Sequence, residues 1–432
     1  MLSSLKHLTA ARRQLLASLF FNFLAKIPGL AAVLLILPII SRKLGPSLYG
    51  EMLAALALGS TFTVAFGGVN AVGRRLLAEA FGRDDGVSQA NVFVTTSTLA
   101  AIIAVVLVSG IVLLGSGNWS SPSLVAVGVL PVIAAFLNTF DNLRASFNEH
   151  YVTALLQFVL QVAIYALVVT VGIPAGNALL SGLVLQSPFA LASLGTLALL
   201  GLQRPYLLAG KVSGMSRMIM PAVGVILADG VLSALLNFSV YWLGHSGATH
   251  YAAWVGTFMR LFTSFSSPVV LLLFPITSYV AIRWPKLTVD RRVKLLRLFV
   301  VAGLAYGAAI GALVALLGPL YIAHMFHLPE TGDSADIAAI AIFMGAIMAQ
   351  KAVSLLLYSV SEAKFLSYGT ATVSLIALVL AATCVPWLTP NRVVDVLYAL
   401  VGLLLPTISI AQYLRQSRLE GAAPAYAAPG SR

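Results

Sequence analysis

Apolar residues gather into twelve runs, each separated from the next by a short stretch rich in Arg, Lys, Gly, Pro, Ser and Asn. The runs cover about 15–40, 51–71, 90–115, 123–143, 151–173, 177–201, 218–243, 252–274, 296–318, 337–358, 366–388 and 395–414. About 20 residues of helix cross the hydrocarbon of a bilayer, so each run is long enough to span it. Lipid offers an open backbone no hydrogen-bond partner, and every run is therefore predicted to be a helix. The spans use up most of the chain, and the loops are too short to fold as separate domains. The first run far exceeds the roughly 7–15 apolar residues of a secretory signal. It ends at Ser41-Arg42-Lys43, not at a small-residue cleavage site, and is expected to stay as the first span.

Composition agrees with this pattern. Hydrophobic residues make up 59% and charged residues 9% of 432 positions, against about 45–50% and 25% in soluble domains. Mean hydropathy is +0.96. So few charges cannot cover a water-facing surface, and the same figures exclude a disordered chain. A single cysteine, Cys384, excludes a disulfide framework and any cysteine-based metal site.

The net charge of +12 invites a nucleic-acid reading until the charges are placed. With both termini cytoplasmic, 20 of the 26 Lys and Arg face inward and 3 (Arg42, Lys43 and Arg392) face outward. The other 3 of the 26, Lys26, Arg260 and Lys351, lie within spans. This asymmetry is a topogenic signal facing anionic membrane lipids, and no nucleic-acid partner is expected. The Pro/Ala-rich segment 419–432 reads as a disordered cytoplasmic tail.

Twelve spans divide into six and six. The first runs into Leu44-Gly45-Pro46-Ser47-Leu48-Tyr49-Gly50. The seventh runs into Leu243-Gly244, a short polar loop, then Tyr251-Ala252. Each element is a helix end, a Leu-Gly pair, and a Tyr plus small residue opening the next helix. The expected fold is an all-α polytopic membrane protein with lobes over 1–205 and 206–418. A site between two such repeats is a common transporter arrangement.

The stretch Pro38-Ile39-Ile40-Ser41-Arg42-Lys43-Leu44-Gly45-Pro46, with Tyr49-Gly50, resembles the opening of polysaccharide-repeat flippases of the Wzx type. Gly67-Gly68-Val69-Asn70-Ala71-Val72-Gly73-Arg74-Arg75 resembles their second span. Asp229, Tyr251-Ala252 and Leu273-Phe274-Pro275 fit the start of their second half. The likeness covers nearly the whole chain in layout and specific residues around 35–80 and 218–285. The superfamily includes MurJ-type lipid flippases, which usually carry two further helices with no room here, and the MATE drug exporters. The resemblance implies a flippase in the cytoplasmic (inner) membrane. It would carry undecaprenyl-diphosphate-linked oligosaccharide outward for O-antigen, capsule or exopolysaccharide assembly, beside a polymerase of the same pathway. In MurJ-type relatives an acid of the seventh helix joins groups of helices 11 and 12 around sodium. Span 11 here has Thr372, Ser374 and Thr383 but no acid, which weakens a sodium site.

An ionisable group at mid-membrane costs about 2.5–3.5 kcal/mol on insertion scales, so each needs a reason. Arg260 lies about nine residues into span 8, with Thr257, Ser264 and Ser267 on its face. It reads as a guanidinium gripping a diphosphate in a wet cavity, or as an interhelical lock to a carboxylate such as Asp229. Lys26, with Asn22 a turn earlier and the loosening Pro28-Gly29 just after, reads as a cavity cation or a locally paired lysine at a kink. Lys351, after Gln350, either lines a cavity or snorkels. Arg74 and Arg75 are topogenic charge and a mouth for anionic headgroups. Gln157 and Gln161, with Thr153 and Tyr165, form a stripe suited to sugar hydroxyls or to helix packing. Asp229, Ser233, Asn237 and Tyr241 form a second stripe, read as a proton or sodium site, as a salt-bridge partner of Arg260 or Lys26, or as a packing hydrogen bond. Asn138, Asp141, Asn142 and Arg144 read as an interfacial cluster with a gating pair. Gly303, Gly307 and Gly311 read as a packing face.

No cofactor or metal site is expected: Pro329 interrupts His324, His327 and Glu330, and no phosphate-binding loop or hydrolytic constellation stands out. The runner-up functions are a MATE-like cation exporter, which calls for cavity acids, and a membrane polymerase or ligase, which usually carries a larger outer loop than the roughly 18 residues here.

Overall fold

The computed structural model describes residues 26–115, 121–147, 149–226, 230–261, 287–326, 333–358 and 364–422, with single positions 20, 23, 24, 119 and 328. Every regular element among them is helical. Among the described residues nine helices are long and apolar enough to cross a membrane, and the chain is a multi-pass membrane protein. Their lipid-facing character is visible in Leu113, Val105 and Leu316, each more than 60% exposed, a surface that water would not tolerate.

The first span, α1 (Lys26–Leu44), contains a π-helical turn at Ala32–Ile36. Pro28 lacks an N–H and Gly29 is soft, so the hydrogen-bond register slips just after them. The helix stops at Gly45, whose φ of +77° suits glycine, and Pro46 opens the next helix at its first turn. That helix, α2 (Pro46–Phe62), is followed after Thr63 alone by α3 (Val64–Gly82). Thr63 turns its hydroxyl onto the Ser60 carbonyl at 2.7 Å, and the two helices meet at this break. The helix runs well past the expected span end at 71. Asp85 then caps α4 (Gly86–Gly115), accepting from the Ser88 N–H at 3.0 Å.

There follow α5 (Pro122–Ala145), α6 (His150–Val171) and α7 (Ala178–Gln203). The seventh expected span appears as α8 (Met215–Val225) and α9 (Val231–His245), with 227–229 outside the described residues. The eighth begins as α10 (249–261), and its second half lies outside the described residues. Next come α11 (Val289–Phe326), α12 (Ser334–Tyr358), α13 (Lys364–Cys384) and α14 (Pro390–Ala422). At 38 residues α11 is about 57 Å long, almost twice the hydrocarbon thickness. Arg291, Arg292, Lys294 and Arg297 ride on its extension.

The chain forms two compact units, Met1–Phe265 with Ile322–Thr331, and Ser266–Tyr321 with Gly332–Arg432. Within the first unit, the two hairpins whose sequences match also touch. A Cβ on Gly50 would collide with the Thr249 carbonyl, one on Gly244 with the Ala54 side chain, and one on Gly256 with Leu53. The Tyr49 and Thr257 hydroxyls meet at 3.1 Å in this buried seam. Both hairpins turn on a positive-φ glycine, Gly45 and Gly247.

In the second unit the small-residue face of α11 packs as expected. Gly307 lies against the Gly345 carbonyl, Gly303 against Val353 and Gly311 against the Ala341 carbonyl. Phe343 stacks on Tyr398 at 4.2 Å between α12 and α14. Arg392 ties the two helices at one end through Asp333 and Asp336. The arginine holds the Asp333 carboxyl down to about 2.

Candidate functional site

The break at Thr63 opens polar space on both sides of α3. On one side, α3 and α5 line an open cavity of about 320 Å³ with Thr63, Phe66, Asn70, Arg74, Asn138 and Asn142. Asn70 and Arg74 are one helical turn apart and share a face. On the other side, α3 and α9 enclose about 410 Å³ lined by Ser60, Ser233 and Asn237. Thr63, Gly67 and Ala71 line both, so the two lie side by side along the small residues of α3. Gly68 is forced by close approach, since a Cβ there would collide with the Ala222 carbonyl of α8. Asn237 donates to the Ser233 carbonyl at 2.8 Å. Farther along that stripe, Tyr241 leaves the polar space and packs edge-on to Trp119 at 6.5 Å. The described lining contains amides, hydroxyls and the Arg74 guanidinium, and no carboxylate. Asp229 and Asn22 lie outside the described residues.

Arg75 turns away from these cavities. It sits on an exposed face with Glu79 at 3.6 Å. Consecutive helical residues point about 100° apart, so the paired arginines part company.

Arg260 is half-buried on α10, in the electrostatic field of the Tyr49 and Tyr165 hydroxyls. Its expected neighbour Thr257 is fully buried and bonded to Tyr49. Ser264 and Ser267 lie outside the described residues. Tyr165 belongs to the α6 stripe, where Thr153 and Gln161 are also buried and Gln157 is partly so. The Gln161 Oε1 has no hydrogen-bond partner among the described residues. Lys26 is exposed on α1. Lys351 is half-buried on α12 of the second unit, next to Gln350. The Gln350 side chain donates to Thr370 at 2.9 Å and accepts from Ser409.

Asp141 and Arg144 form a separate buried cluster. Asp141 accepts from Ser193 of α7 and from Thr153 of α6, whose hydroxyl also meets Thr196 at 3.1 Å. Arg144 is 1% exposed. Its Nη2 donates to Gln203 at 2.8 Å and to Glu149 at 3.0 Å. Glu149 also takes Arg204 at 2.7 Å, and that guanidinium lies 4.1 Å above the Phe147 ring. Burial opposes ionisation of Glu149, but the Arg204 hydrogen bond and charge, then Arg144, outweigh it and hold the carboxyl below its ordinary value.

Sequence reasoning missed Glu149, Arg204 and Gln203 because they meet Arg144 from neighbouring helix ends. Asn70 was missed as a site residue, although a carboxamide in an apolar span is itself a signal. Glu149→Gln leaves the Arg144 guanidinium buried without its directly paired carboxylate, a loss of about 3 kcal/mol. The thermal unfolding midpoint of the purified protein should fall by several degrees; an unchanged midpoint would show that Glu149 does not neutralise Arg144. In the native chain this stabilisation is complete above the ordinary glutamate value of 4.5 and is lost as pH falls through the lower folded value.

No family model and no curated protein matches the sequence. Solved structures do match in fold. A multidrug resistance MATE family transporter of the MOP superfamily in an inward-facing conformation matches with a TM-score of 0.60 at 15% identity, over 94% of this chain and 96% of that one. An outward-facing structure so described matches with a TM-score of 0.56 at 14% identity, over 94% and 97%. A eukaryotic MATE transporter matches with a TM-score of 0.56 at 13% identity, over 95% and 98%. The chain therefore has the fold of these transporters along nearly its whole length.

Proposed function

We propose that the chain is a flippase. It moves undecaprenyl-diphosphate-linked oligosaccharide from the inner to the outer leaflet of the cytoplasmic membrane by alternating access, for surface polysaccharide assembly. The observation that carries this reading is the lining of the two cavities by amides, hydroxyls and the Arg74 guanidinium. A site for cationic drugs needs acids; a site for a glycosylated diphosphate needs donors and positive charge. The fold is compatible with either cargo.

Carrying a diphosphate through hydrocarbon demands replacement of its hydration. Guanidinium groups do this bidentately, so Arg74 and Arg260 take the phosphates, with Lys26 adding positive field. Gln157 and Gln161 offer donors and acceptors to sugar hydroxyls. The lipid chain stays in the bilayer. An inside-negative potential favours outward movement of the anion by about 2.3 kcal/mol per charge per 100 mV, which needs no ATP. Asp229, Asn237, Asp141 and Arg144 are the groups through which a proton or sodium ion and the gate act.

In a strain lacking the gene, the wild-type chain restores surface polysaccharide and leaves drug accumulation unchanged. Arg260→Ala should insert normally and restore less than a tenth of the polysaccharide; full restoration removes Arg260 from substrate handling.

A second reading, a MATE-like cation antiporter, is favoured by one observation: the buried Asp141 carboxylate ringed by the Ser193, Thr153 and Thr196 hydroxyls. On that reading Asp141→Asn abolishes pH- or sodium-driven drug efflux. On the flippase reading there is no efflux to abolish, and the same variant changes the pH or sodium dependence of polysaccharide export.

A further inference from the structure

The cavity between α3 and α5 is built for more than charge. Asn70 is 6% exposed, and its Oδ1 has no hydrogen-bond partner among the described residues. A buried acceptor left in that state costs about 1–3 kcal/mol, and a turn of the side chain toward the cavity it lines would bring it to a donor. Across the cavity, Asn142 uses one N–H on the Asn138 carbonyl at 2.9 Å, which leaves its other N–H and its Oδ1 for a ligand. Asn70, Asn138 and Asn142 thus present donors and acceptors together. A bare phosphate has acceptors only and would leave the amide oxygens without a donor. A cation would find no carboxylate in the described lining. Hydroxyl and acetamido groups, which donate and accept at once, satisfy all three amides. The volume of about 320 Å³ is at the small end of the range for small-molecule sites. Gly67 keeps it open, for a Cβ there would meet nothing within 4 Å.

We infer that this cavity is a sugar subsite: it receives the pyranose next to the diphosphate, while Arg74 at its rim takes the phosphate. The inference rests on the anionic-glycolipid reading above and adds to it which part of the cargo is read by which side chains. Discrimination between repeat units would then begin at Asn70, Asn138 and Asn142, and not at the cationic residues.

The test uses the full chain in lipid nanodiscs and three probes: farnesyl diphosphate, and farnesyl diphosphate bearing one N-acetylglucosamine or one galactose. At least one glycosylated probe should bind about tenfold tighter than the bare diphosphate. Asn142→Ala and Gly67→Leu should erase that gain while leaving farnesyl diphosphate affinity within about twofold. Gly67→Leu fills the space without removing a hydrogen bond, so it guards against a variant that merely misfolds; Asn70→Leu is the third. If wild type binds the bare and both glycosylated diphosphates equally, or the variants keep the gain, the subsite is wrong and the anionic reading stands. If wild type binds none of the three, the anionic reading falls and the subsite with it.

Discussion

Arg74→Glu should abolish export of surface polysaccharide, while Arg75→Glu, one residue away, should leave it near wild type. The two arginines are topogenically equivalent, and both sit in the middle of α3. They differ in direction. Both are exposed, but Arg74 lines the amide cavity, whereas Arg75 lies outside it beside Glu79. Reversing the charge at the cavity rim sets a carboxylate against an incoming diphosphate, and like-charge juxtaposition costs several kcal/mol. A penalty of about 3 kcal/mol is more than a hundredfold in rate. The Arg75 change removes an exposed ion pair worth about 0–1 kcal/mol. The measurement is surface polysaccharide in a deletion strain carrying each variant, with membrane insertion checked separately. Equal loss in both variants would assign these residues to topology, and equal retention would take Arg74 out of the substrate path.

The second large effect is on folding. Gly50→Val should keep the protein from accumulating in the membrane. The Gly50 backbone lies so close to Thr249 that even a Cβ collides with the carbonyl oxygen. That neighbour is backbone and cannot rotate away, so α2 and α10 must separate. The seam they lose holds Tyr49 and Thr257, both fully buried. Overpacking in a yielding core typically costs about 1–3 kcal/mol, and a rigid contact costs more. Gly29→Val is the control, since a Cβ there meets nothing within 4 Å. The readout is folded protein after gentle extraction. Equal yields of the two variants would mean that the hairpins do not meet in this way.

Most of the fold was legible because a lipid-spanning helix is the strongest pattern a sequence can carry. Nine expected spans appear as long apolar helices. What hydropathy could not show was where helices end. Outside hydrocarbon, a helix continues on capping and charge pairing, and so α3 runs to Gly82 and α11 starts at Val289. The glycine face of α11 was legible from spacing alone. The site was less so. Arg74 and Arg75 look identical until a helix fixes their angles. The Arg144 partners, Glu149 and Gln203, are set by how three helix ends meet, and no local spacing encodes that. Asn237 and Ser233 were found through their four-residue period, and both line the cavity beside α3.

The break at Thr63 also sets a lever. Beyond it, α3 carries 19 residues, an arm of about 28 Å with Arg74 some 16 Å out. A swing of 10° about that pivot displaces the Arg74 backbone by about 3 Å, as far as a hydrogen bond is long. A change of angle at that one residue would thus alter the reach of Arg74 without any change in the residues that line the cavity.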